Sequence, residues 1–200
     1  MTKKIGILGG TFDPVHLAHL ELAQVALENH DLDVILFIPT GQPVRKLGTT
    51  HASSQDRLHM LEIACEGIPS FEVSSIEVDR PEITFTIDTL RALKTLYGEG
   101  CELFLILGED TVTDLPTWKE SEQIAALTTV LYARRPAEES SHILPDGFDC
   151  HELSMPAMDI SSSLIRDALF KGEDVSELVP SGALAYIKEH KLYDKPEQTF

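Results

Sequence analysis

The chain has 200 residues, 42% of them hydrophobic and 24% charged, which excludes disordered, collagen-like and repeat architectures and fits one domain with a sizeable core. Its formal charge of −17 argues against a nucleic acid or an anionic membrane as partner, because such binding is driven by clustered Lys and Arg. The surplus is uneven: residues 1–60 hold five basic and six acidic side chains (net −1) and residues 61–200 eleven and twenty-seven (net −16), so the N-terminal end suits a phosphorylated small molecule.

The opening "MTKKIGILGG" runs into a strand pattern with no cleavage-site signature, and no apolar run is long enough to span a bilayer; a cytoplasmic protein is expected. The first strand, residues 3–9, leads into "GGTFDPVHLAH", residues 9–19. Gly9 and Gly10 let the backbone turn sharply and approach a ligand without a Cβ in the way. Asp13 is placed to cap a helix over residues 15–29 whose first position is Pro14. The N-terminus of that helix offers unpaired N–H groups and partial positive charge to an anion. His16 and His19, three apart, share a face of its first turn. Neither GxxxxGK[ST] nor GxGxxG is present; two imidazoles instead of a P-loop lysine point to neutral or switchable donors for a phosphate whose charge changes during reaction.

A second strand, residues 33–39, precedes a loop with Arg45 and Lys46, rare positives in an acidic chain and candidate phosphate contacts. Helix 54–66, strand 71–78, helix 86–97 and strand 101–108 follow. Asp110, just past that strand, either hydrogen-bonds ribose hydroxyls or caps the next helix. Trp118, the only Trp, sits at a loop-to-helix junction ahead of a helix over 117–127. Its indole either packs against the core or stacks on a flat ligand ring, worth about 0.5–2 kcal/mol if that ring is cationic. Strand 128–134, a loop over 136–147 and strand 149–153 complete the sheet. In "DISSSLIR", Ser161 is an N-cap and Arg166 lies one turn in; they serve a phosphate there, or only the helix and the surface. Helices at 162–171, with Gly172 as its C-terminal cap, and at 182–190 close the chain.

Apolar strands alternating with helices predict an α/β fold, a Rossmann-like, doubly wound, mostly parallel sheet with a helical C-terminal segment over about 160–193. Ligands of such sheets bind beyond the carboxyl ends of the strands, where strand order reverses. Cys65, Cys101 and Cys150 are widely spaced without CxxC pairing and read as reduced, half-buried thiols. His51, His59, His142, His151 and His190 have no partner spacing and read as ordinary residues.

The first turn closely resembles the nucleotidyltransferase signature G-x-F-x-P-x-[HT]-x-G-H through Gly10, Phe12, Pro14, His16 and His19, with Ala18 for the usual Gly. Further stretches resemble the bacterial nicotinate mononucleotide adenylyltransferases: "FIPTGQPVRK" with Gln42 for Asn, "SSQDRLHML" through Ser53, Arg57, Met60 and Leu61, "TFTIDTL" through Thr86, Thr89 and Leu90, "LGEDTVTDLPTW", "ARRP", "DISSSLIR" with Ser163 for Thr, and "LVPSGALAYIKEHKLY". The resemblance covers essentially the whole chain as one nucleotidyltransferase domain, residues 1–200.

That resemblance implies transfer of the adenylyl group of ATP to nicotinate mononucleotide, giving nicotinate adenine dinucleotide and pyrophosphate. It implies catalytic roles for His16, His19 and Arg166, and an ATP site that adds Gly9, Gly10, Thr11, Phe12, Ile160 and Ser161. The acceptor falls to Lys46, Thr86, Asp110, Trp118, Lys119 and Arg135, with backbone N–H groups near Thr86 and Lys119 holding the nicotinate carboxylate. Mg²⁺ is expected to ride on the ATP phosphates and water rather than on a carboxylate cluster. Oligomeric state is left open. Phosphopantetheine adenylyltransferases and cytidylyltransferases share the first motif but not the "TFT" segment or the Trp118 context. The HxxH turn is also similar to class I aminoacyl-tRNA synthetases, which the acidic composition disfavours. A catalytically silent nucleotide-binding module is the remaining alternative.

Overall fold

The structure, a computed structural model, describes residues 2–41, 50–134, 144–156 and 158–194. Six strands form one parallel sheet: β1 (Lys4–Gly10), β2 (Val34–Pro39), β3 (Phe71–Val73), β4 (Glu102–Gly108), β5 (Thr128–Ala133) and β6 (Cys150–Leu153), in the order β3-β2-β1-β4-β5-β6. The helices are α1 (Leu17–Asn29), α2 (Ser54–Cys65), α3 (Thr86–Tyr97), a single turn α4 (Glu109–Val112), α5 (Ser121–Leu127), α6 (Ser162–Lys171) and α7 (Ser181–Glu189).

Strands that are apolar at every position must bury both faces, and the alternation assigns each side chain to one. Ile5, Ile7, Val34, Leu36, Ile38, Leu103 and Leu105 pack with Ile87, Leu90 and Leu93 of α3 and Ile124 of α5. Leu8, Ile35, Phe37, Phe104 and Ile106 pack with Ala23 and Ala26 of α1, Met60 and Leu61 of α2, Ile165 of α6 and Ile187 of α7. Gly6 makes room on this second side, since a Cβ there would stand 2.5 Å from Ile35 Cδ1. The doubly wound sheet expected from the βα rhythm is therefore the observed one. Among the described residues no helix is long and apolar enough to cross a membrane.

Several local expectations need correction. Helix α1 begins at Leu17 behind an N-cap at His16, not at Pro14, because the Asp13 carboxylate is already bonded by residues far along the chain. Gly9 and Gly10 complete β1 in register with Ile38 and Pro39; the left-handed residue that reverses the chain is Phe12, at φ 50°. Strand β3 stops at Val73 instead of reaching 78: the Ser74 hydroxyl bonds the Ile76 N–H and the Asp79 N–H bonds the Ser75 carbonyl, local turns that take the chain off the sheet edge. The helix expected over 117–127 is broken, with a 3₁₀ turn at Leu115–Thr117, an extended Trp118, a left-handed Glu120 and only then α5. Cys65 and Cys101 are buried and only Cys150 is half-buried. Ser161 and Gly172 cap α6 as expected.

Candidate active site

The strand order reverses between β1 and β4, since β2 and β3 lie to one side and β5 and β6 to the other. Diverging helices leave a crevice at such a point, at the carboxyl ends of the strands. A cleft of about 1000 Å³ opens there, lined by Gly9, Gly10, Leu107, Gly108, Ala133 and Arg134 at strand ends, by His16 and His19 of the first turn, by Thr84 and Thr86 before and in α3, by Asp110 and Trp118, and by Ile160, Ser161 and Arg166 at α6.

The histidine pair forms the floor of one half. Its rings stack with centroids 3.6 Å apart, and the His19 ring stands edge-on to buried Phe12 at 4.9 Å. A Cβ on Gly10 would stand 3.2 Å from that same phenyl ring, so Gly10 lets Phe12 lie under the histidines. The His16 backbone N–H donates to His19 Nδ1 at 3.2 Å, which makes Nδ1 the acceptor and leaves the proton of the neutral ring on Nε2. Burial pushes His16 down to about 4. Burial and the neighbouring His16 push His19 well below the usual imidazole range. Both rings are therefore uncharged at neutral pH, and an arriving phosphate would favour their protonated forms. Nδ1 of His16 is buried with no hydrogen-bond partner among the described residues, an atom in need of an outside partner.

The turn that carries the pair is bonded from distant segments. Arg166 Nη1 donates to the Asp13 carbonyl at 2.7 Å and Nη2 to Ser163 Oγ at 3.3 Å, while Ser162 Oγ donates to the Pro14 carbonyl at 2.9 Å. Helix α6, capped by Ser161 through the Leu164 N–H, thus meets the first turn end-on. From α2, Arg57 reaches the Thr11 and Thr40 carbonyls at 2.6 Å each and that of Gly41 at 3.2 Å. Its side chain is almost wholly buried, so it cross-links the ends of β1 and β2. Arg57 had appeared only as a motif match. Its spacing to Met60, Leu61 and Ala64 puts it on the buried face of α2, a signal that could have marked it as internal.

The other half of the cleft is built differently. Thr86 is the first residue of α3, behind an N-cap at Phe85, and Trp118 is half-buried against the α3 side of the core while lining the cleft. Asp110 lies in the first turn of α4, just beyond the end of β4. The Lys119 side chain has Nζ 3.4 Å from Asp88 Oδ2 and 4.4 Å from the centre of the Phe85 ring, and Lys119 is not among the residues that line the cleft. Glu77, a cleft carboxyl pushed up by burial, accepts from Thr89 Oγ1 at 2.8 Å. The Thr84 hydroxyl, also lining the cleft, is buried without a partner among the described residues. Lys46, Arg135, Arg45 and Gln42 lie outside the described residues. Arg134 stands 3.8 Å from both Glu109 and Glu152.

Comparison with known proteins shows the family and the fold. A family model described as cytidylyltransferase-like matches residues 7–168. A probable nicotinate-nucleotide adenylyltransferase of Dehalococcoides mccartyi is 44% identical over 199 residues, covering 96% of this chain and 98% of that protein. One from a Thermoanaerobacter species is 34% identical over 203 residues, covering 98% and 96%. The nicotinic acid mononucleotide adenylyltransferase of Plasmodium falciparum, solved in complex with NaAD, superposes with a TM-score of 0.81 at 22% identity over 96% of this chain and 97% of its own. At that identity the likeness speaks for the fold.

Proposed function

Because this chain belongs to the cytidylyltransferase-like proteins, and among them to the nicotinate-nucleotide adenylyltransferases, we propose that its cleft joins ATP to nicotinate mononucleotide, the step that forms the dinucleotide nicotinate adenine dinucleotide. The observation that carries the reading is the stacked, uncharged His16–His19 pair at the switch point of the sheet, with Arg166 across the same turn.

The 5′-phosphate oxygen of the mononucleotide attacks the α-phosphorus of ATP in line; the new P–O bond forms as the bond to the bridging oxygen of the β-phosphate breaks, and pyrophosphate leaves. Nucleophile and leaving group are competent as they stand, so the protein supplies position and charge stabilisation. His16 and His19 donate to the phosphoryl oxygens as charge builds on them. Gly9, whose missing Cβ has nothing within 4 Å, lets the nucleotide lie against the end of β1, next to Thr11 and Phe12. Ser161, Ile160 and Arg166, at the α6 end, take the β- and γ-phosphates. On the acceptor side Trp118 stacks on the pyridine ring, the backbone at Thr86 and Lys119 holds its carboxylate, Asp110 faces the ribose, and Lys46 and Arg135 serve the phosphate.

Mg²⁺ belongs to this scheme as part of the Mg-ATP substrate, where it neutralises triphosphate charge. Among the described residues no cluster of three or more His, Cys, Asp or Glu is placed to hold a metal. The three unpaired cysteines support a reducing, cytoplasmic setting, and we read the whole chain as one domain.

The test is pyrophosphate release from Mg-ATP with nicotinate mononucleotide, beside nicotinamide mononucleotide and phosphopantetheine. Strong turnover with the nicotinate acceptor is expected. Turnover only with another acceptor would move the chain elsewhere in the superfamily, and ATP binding without any pyrophosphate would make it a silent nucleotide-binding module.

A further inference from the structure

The Asp13 side chain is 3% exposed and lines the cleft, yet its carboxylate is turned to donors from far along the chain. Its Oδ2 accepts from the His51 backbone N–H at 2.9 Å, and its Oδ1 accepts from the Ala52 N–H at 3.1 Å and from the Tyr193 hydroxyl at 2.8 Å. Tyr193 is 180 positions away in sequence, beyond α7, and a left-handed backbone at φ 70° aims it at the turn. The Asp13 carbonyl meanwhile takes the Arg166 bond. Asp13 therefore ties the chain end, the segment before α2 and helix α6 to the three residues that precede His16.

A buried carboxylate needs its donors, because an unsatisfied one retains its desolvation cost. Of the three hydrogen-bond donors here, two are backbone N–H groups and the phenol is the side-chain donor; the His51 ring stands further off, its Nδ1 3.7 Å from Oδ2. We infer that Tyr193 is a positioning residue for adenylyl transfer: by bonding Asp13 it fixes the turn from which His16 and His19 meet the reacting phosphate, and so makes the end of the chain part of the active-site framework. The inference rests on the activity proposed above. It concerns the rate of the chemical step rather than substrate affinity, since Tyr193 is not among the residues lining the cleft.

The molecule supplies a matched control. Tyr186 of α7 also donates its phenol to a carboxylate, Asp56 Oδ1 at 2.9 Å, but that aspartate is bonded to Ser53 on α2 and not to the first turn. The experiment compares wild type, Tyr193→Phe, Tyr186→Phe and Asp13→Asn as full chains, measuring kcat, both KM values, thermal midpoint and the imidazole ¹H–¹³C resonances of His16 and His19. A 1 Å misplacement of reacting groups can cost about 10²-fold, so loss of one of three bonds predicts a kcat lowered about tenfold in Tyr193→Phe. Both KM values should stay within about twofold, as expected when an interaction specific to the transition state is weakened. The two histidine resonances shift in Tyr193→Phe and stay in place in Tyr186→Phe, which keeps wild-type kcat. Asp13→Asn, which puts an amide where two N–H groups donate, loses more rate than Tyr193→Phe.

Wild-type kcat in a folded Tyr193→Phe, with unmoved histidine resonances, overturns the inference. So does a loss seen equally in Tyr186→Phe, or one confined to KM. If Tyr193→Phe does not fold, a folded Asp13→Asn with full kcat overturns it in the same way. Should wild type itself release no pyrophosphate, the activity reading fails, whereas the histidine resonances still report whether Tyr193 positions the turn.

Discussion

The two halves of the cleft are held in place by different means. The first turn, with His16 and His19, is bonded by side chains from α2, α6 and the end of the chain: Arg57 to Thr11, Arg166 to Asp13, Ser162 to Pro14 and Tyr193 to Asp13. The half around Thr86 and Trp118 combines local backbone features, a helix start at Thr86, an extended residue at Trp118 and Gly41 packed against the chain at Glu77, with side-chain bonds from Thr89 to Glu77 and from Arg91 to Glu120. Side chains that make charge-assisted bonds suit a region that must meet a changing charge without moving. On the proposed function, backbone N–H groups in the other half suit recognition of a fixed, flat ring and its carboxylate. Mutations should therefore act on rate in one half and on acceptor affinity in the other.

The sharpest break is His19→Ala. On the proposed mechanism it removes a donor to the reacting phosphoryl group, and kcat measured by pyrophosphate release should fall about 10²–10³-fold with little change in either KM.

The histidine half should also carry a pH signature. An unfolded histidine takes a proton near 6.5, whereas folded His16 does not until about 4. The unfolded state therefore binds more protons in that window, so His16 contributes stability that is complete above pH 6.5 and is lost as pH falls toward 4, at most about 3 kcal/mol. Glu77, raised by burial, acts in the opposite sense. The observable is thus the difference between wild type and His16→Asn in urea unfolding at pH 7.5 and pH 4.5, where the variant should lose less than wild type.

On the other side, a Cβ on Gly41 would stand 2.2 Å from the Glu77 carbonyl oxygen, and backbone must move. Gly41→Ala should destabilise the fold by about 1–3 kcal/mol, the range for overpacking, seen as a lowered midpoint in urea unfolding, and by shifting the backbone at Glu77 should raise the KM for the mononucleotide more than that for ATP. The smallest effect belongs to Lys119→Ala. It removes an exposed pair with Asp88 and keeps the backbone N–H, so the acceptor KM should rise no more than about threefold, in line with surface ion pairs worth at most about 1 kcal/mol. A large rise would mean that the ammonium itself holds the acceptor.

Legibility in the sequence follows the same division. The histidine turn was visible because its chemistry needs particular side chains at a helical spacing, and Ser161 and Arg166 because caps and cations at helix starts have local signatures. The cap assigned to Asp13 was wrong for a non-local reason: its carboxylate is claimed by Ala52, His51 and Tyr193, none of which is near it in sequence. Trp118 was legible as an aromatic, but the break that presents it, between the 3₁₀ turn and left-handed Glu120, was hidden under a helix-like pattern. Thr84 gave only a motif position; that its hydroxyl is buried and unpartnered is a property of what surrounds it.

By itself, then, the sequence determined the βα rhythm, the two-sided burial of the strands and which polar side chains of the first turn and of α6 line the cleft, because period, apolarity and residue chemistry are local quantities. Only the tertiary structure decided which strands are neighbours at the switch point, which carbonyls Arg57 joins, and that Tyr193 closes on Asp13. Those facts depend on hydrogen bonds between segments that share no sequence window, satisfied only once the sheet has brought their donors and acceptors within bonding distance.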